Sequence, residues 1–341
     1  MRFLFLGAGA IGTYVGGSLA TAGHEVSFVE QPGTAAAIAE QGLTVETAST
    51  RHVVRGIAMF TDPAPALDAG PYDVCVFALK SFDTASVLDA WLALGRPLPT
   101  ILSVQNGVDN EAVIAARLGA DRVIAGTIAT AIAKPGVGHV IEETHRGIGI
   151  ALGHPRSGDL IAALNDAGLG ARGYADAASM KWSKLLTNLQ GSATSAILDL
   201  PVGAVFADPR LHAVETAAMR ECLRVMRALG HRLVDLPGTP VRALAFAVQR
   251  LPLALTRPIF VRLLGDSRGD KMPSLHIDLH SGRRRSEVGY LHGAVVRHGA
   301  RAGVPTPVNA LLTATLEGLT AGTEDIAAFR HNPDALLARL R

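Results

Sequence analysis

The sequence predicts an α/β fold: an N-terminal Rossmann-like doubly wound domain followed by a C-terminal all-helical domain. Three observations carry that prediction. Short β-rich runs alternate with helical runs up to about residue 155, a glycine-rich motif sits at the first strand-to-helix junction, and from Asp176 onward apolar residues recur at three- and four-residue spacing. The 341 residues are enough for two domains of ~150 residues each. They are expected to be 1–172, binding a dinucleotide, and 173–341, binding substrate, with the boundary in the Gly-rich stretch 168–175.

Taken in order, residues 3–6 read as a buried strand, 10–22 as a helix and 25–29 as a second strand. Further strands are expected at 74–79, 101–104 and 123–127, with helices at 83–94 and 111–118 between them. Residues 43–45 and 52–60 look like an inserted hairpin or edge pair, and 139–150 like one or two more strands. Helical periodicity then covers 180–197, 211–229, 288–302 and 308–319, while the Pro- and Arg-containing segment 237–271 is the least readable.

Composition narrows the function. Apolar residues make up 48% and charged residues 18%, which excludes a disordered chain. A net charge of +2 gives no concentrated basic face for nucleic acid or a membrane surface. Cys75 and Cys222 cannot build a disulfide framework, so a reducing cytoplasm is the expected compartment. The apolar N-terminus superficially imitates a secretory signal, but five glycines between Gly7 and Gly17 make a poor signal core. No apolar run in the second half is long enough to span a bilayer, because Arg250, Pro252, Arg257, Pro258 and Arg262 interrupt the best candidate.

The first chemical motif is Gly7-Ala8-Gly9-Ala10-Ile11-Gly12, between the first strand and first helix. The first glycine permits the tight turn, the second lets backbone approach a pyrophosphate, and the third lets the helix pack closely on the strand. The phosphates then meet the helix N-terminus, whose N–H groups and dipole favour negative charge. Glu30 closes the second strand, 18 positions after Gly12. A carboxylate there accepts hydrogen bonds from an unmodified ribose and repels a 2′-phosphate, which favours NAD(H). If Glu30 simply faces solvent, Arg51 or Arg55 becomes the candidate for holding a phosphate.

Lysine usage is informative because Arg outnumbers Lys 27 to 5, so a position that merely needs a cation usually carries Arg. An ammonium can have its pKa lowered until it gives up a proton, whereas a guanidinium stays charged. Lys80 follows a strand and so stands at the carboxyl edge of the sheet, where doubly wound folds bind ligand. Lys184 precedes Asn188 by four positions, on one helix face. Lys134, Lys181 and Lys271 are expected on solvated faces. Gln105-Asn106-Gly107 ends a strand; it is either a plain turn or a set of amides for a nicotinamide, ribose or substrate oxygen. By themselves, Ser274 and Glu287 read as capping residues.

Together these residues resemble the ketopantoate reductase, or 2-dehydropantoate 2-reductase, family along nearly the whole chain. The resemblance rests on the Gly7–Gly12 loop, the strand ending in Lys80, Gln105-Asn106-Gly107, Lys184-Leu185-Leu186-Thr187-Asn188, the block from Ser274 through Asp278 to Ser286-Glu287, and the tail Gly303-Val304-Pro305-Thr306-Pro307-Val308-Asn309. It implies cytoplasmic reduction of a small branched 2-oxo acid by NADP(H), as in pantothenate biosynthesis, with hydride transfer in the cleft between the domains. It also implies Lys184 as the general acid and Asn188, Ser192, Ser274 and Asn106 as substrate-binding residues. Gly7, Ala8, Gly9, Ala10, Ile11, Gly12, Glu30, Lys80, Asn106 and Glu287 then bind cofactor. Three departures bear on this. Ser192 stands where many relatives carry a second asparagine, Val202 roughly where a later one falls, and Glu30-Gln31-Pro32 where an arginine usually binds the NADPH phosphate. The last again points to NAD(H).

Two other readings compete: a β-hydroxyacid dehydrogenase-type enzyme, for which the small-residue segment before the interdomain helix is missing, and a non-catalytic NAD(P)-sensing protein, which has no need of Lys184. No metal is expected: His276 and His280 share a helix face, but neither they nor His292 with His298 come with a nearby set of acidic ligands at helical spacing. The expected partner is a small molecule, not nucleic acid or membrane, and pairing into a homodimer through the helical domain is a guess from enzymes of this architecture.

Overall fold

The computed structural model describes residues 1–268, 272–282 and 284–340. Lys271 and Arg283 lie outside them. By packing the chain divides into two units, Met1–Lys181 with Leu236–Thr239, and Trp182–Asp235 with Pro240–Arg341.

The first unit contains β1 (Arg2–Leu6), α1 (Ala10–Thr21), β2 (Glu25–Val29), α2 (Pro32–Gln41), β3 (Leu43–Glu46), β4 (Arg51–Val54), β5 (Ala58–Phe60), α3 (Pro63–Asp68), β6 (Val74–Phe77), α4 (Thr84–Leu92), β7 (Thr100–Ser103), α5 (Asn110–Leu118), β8 (Val123–Ile128), β9 (Ala131–Gly136), β10 (His139–Thr144), β11 (Ile148–Ala151), α6 (Ser157–Asp166) and β12 (Ala171–Tyr174). Among the described residues an eight-stranded sheet runs β12-β11-β8-β7-β6-β1-β2-β5. It is parallel except where β11 meets β8. Because side chains alternate across a strand, Phe3 and Phe5 of β1 enter one core and Leu4 and Leu6 the other. A strand buried on both faces reads as an unbroken apolar run, which is how β1 appears in the sequence.

One expectation needed correction here. Residues 52–60 are not one edge element: Gly56, at φ +74°, separates β4 from β5. β5 then extends the main sheet, while β4 joins a second sheet of order β4-β3-β10-β9. The 168–175 stretch contains β12, an edge strand of the main sheet. Helix α1 packs between the two sheets through paired glycines. A Cβ on Gly16 would stand 2.5 Å from the Phe28 ring, and one on Gly17 2.6 Å from Val45.

The chain divides within α7 (Ala177–Leu189). The helical unit continues with α8 (Ser192–Leu198), α9 (Val202–Ala207), α10 (Pro209–Ala228), α11 (Val241–Arg250), α12 (Leu253–Arg268), α13 (Ser274–His280), α14 (His292–Arg301), α15 (Pro307–Ala321), α16 (Ile326–Phe329) and α17 (Pro333–Leu337). The periodic stretch 180–197 is therefore two helices, broken at Gly191, which takes φ +66°. Asp208 starts α10 by accepting the backbone N–H groups of Arg210 and Leu211 at 2.8 and 3.4 Å. Leu211, Val214, Ala218, Met219, Cys222, Val225 and Met226 then bury one stripe of α10, at helical spacing. Each such large apolar side chain contributes roughly 1.5–3 kcal/mol on burial. The segment that read poorly becomes α11 and α12, with Phe260 of α12 stacked on Phe206 at 5.0 Å. No helix of the described residues is long and apolar enough to cross a membrane.

Candidate active site

In the first unit the glycine-rich loop joins β1 to α1, and each of its glycines has a separate physical reason. Gly7 takes φ +95°, a backbone that a side chain disfavours. A Cβ on Gly12 would fall 2.0 Å from the carbonyl oxygen of Gly7, so only glycine lets α1 start this close to the strand. At Gly9, the N-cap of α1, a Cβ would meet nothing within 4 Å. No side chain caps α1, and the first N–H groups of a helix have no partner within it. Open space beside Gly9 and an uncapped N-terminus fit the pyrophosphate of a dinucleotide, with Ala8, Ala10 and Ile11 as the intervening backbone.

Glu30 does not simply face solvent. Its Oε2 accepts the Ala8 N–H at 2.6 Å and its Oε1 accepts the Gln31 N–H at 2.8 Å, so the carboxylate is tied to the loop. Arg51 and Arg55, the alternative phosphate ligands, point elsewhere: Arg51 pairs with Glu46 at 3.2 Å and Arg55 donates to the Glu40 carbonyl at 3.0 Å. Lys134, expected on a solvated face, is exposed but sets its Nζ 3.4 Å from the Ala8 carbonyl. No sequence spacing signals this contact, because Lys134 lies on β9 of the second sheet, 126 positions after Ala8.

Lys80 lies just past the end of β6, half-buried, as its position after the strand implied. The next residue, Ser81, donates its hydroxyl to the carbonyl of Asn106 at 2.9 Å, and Asn110 Nδ2 donates to the same carbonyl at 2.7 Å. The turn after β7 is thus held from two sides while the Asn106 side chain stays exposed. Gln105 is buried, and its amide donates to the Leu79 carbonyl at 3.2 Å and to Thr84 Oγ1 at 2.8 Å. Gly107 follows at φ +93°. The motif is a glycine turn that leaves the Asn106 amide exposed past the end of β7.

Lys181 is a plain correction. It was expected in solvent, but it is only 4% exposed. Its Nζ donates to the carbonyls of Gln105 and Gly126 at 2.7 and 3.2 Å and pairs with Glu111 at 2.8 Å. A buried ammonium survives only when it is paired and hydrogen-bonded; here it also anchors the backbone of the Gln105 turn. The available signal was that Lys181 falls three residues before Lys184 in a run of apolar residues.

In the second unit Lys184, Thr187 and Asn188 are half-buried while Trp182, Ser183, Leu185, Leu186 and Leu189 are buried, so Lys184 and Asn188 share the open side of α7. Ser192 does not accompany them outward. It is buried, with its Oγ 3.4 Å from His292 Nε2. Behind it His292 Nδ1 meets Asn309 Oδ1 at 2.9 Å, and Asn309 donates through Nδ2 to Glu221 at 2.6 Å. Glu221 also accepts the backbone N–H groups of Val308 and Asn309, both at 2.9 Å. Burial pushes the His292 imidazole down to about 4, against a smaller upward effect of Asn309, so it is neutral. With Asn309 Oδ1 as acceptor, its proton is assigned to Nδ1.

Glu215 supports the α7–α8 break, accepting the Gly191 N–H at 2.7 Å and the Thr194 hydroxyl at 2.5 Å. Burial raises its carboxyl to about 7 despite those two bonds. Ser274 and Glu287 are not caps: Ser274 is the exposed first residue of α13, and neither α13 nor the short turn after Glu287 carries a side-chain cap. Glu287 is instead buried, at 4% exposure.

Two sequence profiles match this chain. Residues 3–153 match the ketopantoate reductase PanE/ApbA description and residues 176–320 its C-terminal counterpart. A 2-dehydropantoate 2-reductase of Halobacterium salinarum is 31% identical over 320 residues, covering 90% of this chain and 95% of that protein. The crystal structure of a PanE/ApbA family ketopantoate reductase from Ralstonia eutropha JMP134 is 30% identical with a TM-score of 0.80, covering 95% of this chain and 100% of that one. The ternary structure of a D-mandelate dehydrogenase with NADH and anilino(oxo)acetate superposes at a TM-score of 0.75 over 94% of this chain and 99% of that one. At 20% identity that likeness is one of fold. With matches over both units, the chain belongs to the ketopantoate reductase family and is an oxidoreductase of the 2-dehydropantoate 2-reductase type.

Proposed function

We propose that this protein reduces the 2-oxo group of a small branched 2-oxo acid, ketopantoate or a close relative, to the 2-hydroxy acid, and that it prefers NADH to NADPH. When bound at the Gly7–Gly12 loop, the reduced nicotinamide supplies the hydride to C2. Negative charge then develops on the substrate oxygen, and Lys184 stabilises and protonates it. Asn188, on the same face of α7, orients the substrate. Ser274 and the Asn106 side chain, both exposed, add further polar contacts. Ser192 acts from behind, where its bond to His292 fixes the start of α8. Lys80 and Glu287 complete the surroundings of the cofactor and the reacting carbon.

The observation that carries this reading is the Lys184–Asn188 pair on the open side of α7, in a chain of this family. The cofactor preference rests on the Glu30 carboxylate, 2.6 Å from the loop. The test is initial-rate measurement with ketopantoate and a panel of 2-oxo acids, using NADH and NADPH in parallel. Lys184→Ala should lower kcat by on the order of 10²-fold or more at saturating substrate. Near-normal turnover in that variant removes Lys184 from its role, and turnover confined to 3-hydroxy acids replaces the substrate class.

A further inference from the structure

From the geometry of the helical unit we infer a binding site for a divalent transition-metal ion of the zinc class, formed by Asp199, His276 and His280. It stands apart from the reductase reading and does not depend on it.

Asp199 follows the last residue of α8, while His276 and His280 are one turn apart on α13. Asp199 Oδ1 is 2.6 Å from His276 Nε2 and 4.0 Å from His280 Nε2. The three donor atoms all lie within 4.8 Å of one another. Four-coordinate zinc, with bonds of about 2.0–2.1 Å, needs ligand atoms about 3.4 Å apart. Seating an ion therefore asks for shifts of about an ångström: one short contact opens and a longer one closes. The imidazoles are stacked with centroids 4.1 Å apart; His276 Nε2 already meets the carboxylate, while His280 Nε2 lies 3.2 Å from the Ala196 carbonyl and must exchange that contact for the ion. Two imidazoles and one carboxylate suit zinc, cobalt or nickel, whereas magnesium and calcium prefer an all-oxygen set.

The surroundings fit the same use. Asp199 Oδ2 accepts from Arg330 Nε at 2.9 Å, leaving Oδ1 for the ion and holding the carboxylate in place, as partners of ligating carboxylates do. His331, with its Nε2 4.0 Å from Oδ2 and its side chain 59% exposed, or a water molecule, can supply the fourth position. The backbone marks the spot independently. Among the described residues, Asp199 and His331 are the non-glycine residues with positive φ, at 53° and 52°. Such conformations persist where the surroundings enforce them and cluster at functional positions. An ion here would tie the end of α8 to α13. The sequence hid the site because the acid comes from a different helix, 77 positions before His276.

The test uses the untagged full-length chain, stripped with a chelator and titrated with Co²⁺ by visible absorption, then with Zn²⁺ in competition against a chromophoric chelator. The native chain should bind one equivalent, with the d–d bands of a four-coordinate ion and a rise in Tm on Zn²⁺ addition. His280→Gln should weaken binding at least about tenfold and abolish the Tm rise. Asp199→Gly, which suits the left-handed backbone and removes the ligating side chain, should do the same while keeping the native circular dichroism. Binding by His280→Gln or Asp199→Gly within tenfold of the native chain overturns the site, as does a native Kd weaker than about 1 mM.

Discussion

The two units hold their functional turns in opposite ways. The glycine-rich loop is shaped by missing side chains: Gly7 supplies a backbone conformation, Gly12 a close approach and Gly9 an open space. The α7–α8 break in the helical unit is shaped by buried polar side chains, with Glu215 beneath Gly191 and the Glu221–Asn309–His292 chain behind Ser192. A steric solution is indifferent to pH and intolerant of one added carbon. A polar solution tolerates volume changes and responds to protons.

The largest expected effect breaks the steric side of this comparison. Gly12→Ala places a Cβ 2.0 Å from a backbone oxygen, so the loop must rearrange, with a loss on the order of 4 kcal/mol in chemical denaturation. Gly9→Ala meets nothing within 4 Å and keeps an allowed backbone, at φ −67°. It should cost no more than about 1 kcal/mol of stability yet weaken dinucleotide binding about 10²-fold, because the added methyl occupies the phosphate's approach. Equal stability losses in the two variants would show that these glycines do not divide the work in this way.

This contrast explains what the sequence made legible. The loop, its strand and its helix are contiguous, so spacing alone made the strand–loop–helix unit legible, and the apolar runs of β1 and β6 placed the parallel sheet. Lys184 and Asn188 were legible for the same reason, being four apart on one helix. Lys181 was misjudged because its partners, Gln105 and Glu111, come from far earlier in the chain. His292, Asn309, Glu215 and Glu221 passed unnoticed because each finds its partner on another helix. Ser274 and Glu287 looked like caps because capping is the ordinary local use of such residues, whereas in the structure neither serves it.

A smaller effect sharpens the polar side. The Glu215 carboxyl is raised from 4.5 to about 7 and the His292 imidazole is lowered from 6.5 to about 4, both chiefly by burial. For Glu215 the folded state holds the extra proton, so its contribution is complete below pH 4.5 and falls as pH rises to about 7. For His292 the unfolded state holds it, so that contribution is complete above pH 6.5 and falls as pH drops to about 4. The two slopes oppose each other over nearly the same range, and each amounts to roughly 3 kcal/mol. The native chain should therefore show a nearly flat stability profile between pH 4.5 and 6.5 from this pair. Glu215→Gln should leave stability rising with pH in that range, and His292→Gln should leave it falling. Denaturation midpoints measured across the range check both signs, and matching slopes in the two variants would refute the opposition.

The smallest effect lies where the two solutions meet, since Glu30 is a charged side chain within an otherwise steric loop. Its Oε2 accepts the Ala8 N–H and so holds the backbone; in the proposed function it also presents negative charge beside the dinucleotide. Glu30→Gln separates these roles. The amide oxygen can still accept from Ala8, so the loop should keep its shape and stability to within about 1 kcal/mol. The negative charge that opposes a 2′-phosphate is gone, so kcat/KM for NADPH relative to NADH should rise about tenfold, which corresponds to about 1.4 kcal/mol of discrimination. Lys134, with its Nζ 3.4 Å from the Ala8 carbonyl, leaves a positive charge beside the loop that adds to the gain. If the ratio stays fixed while stability falls, Glu30 serves only as a strut for the loop. If the ratio rises at constant stability, this side chain sets the cofactor preference in a loop otherwise built from glycine.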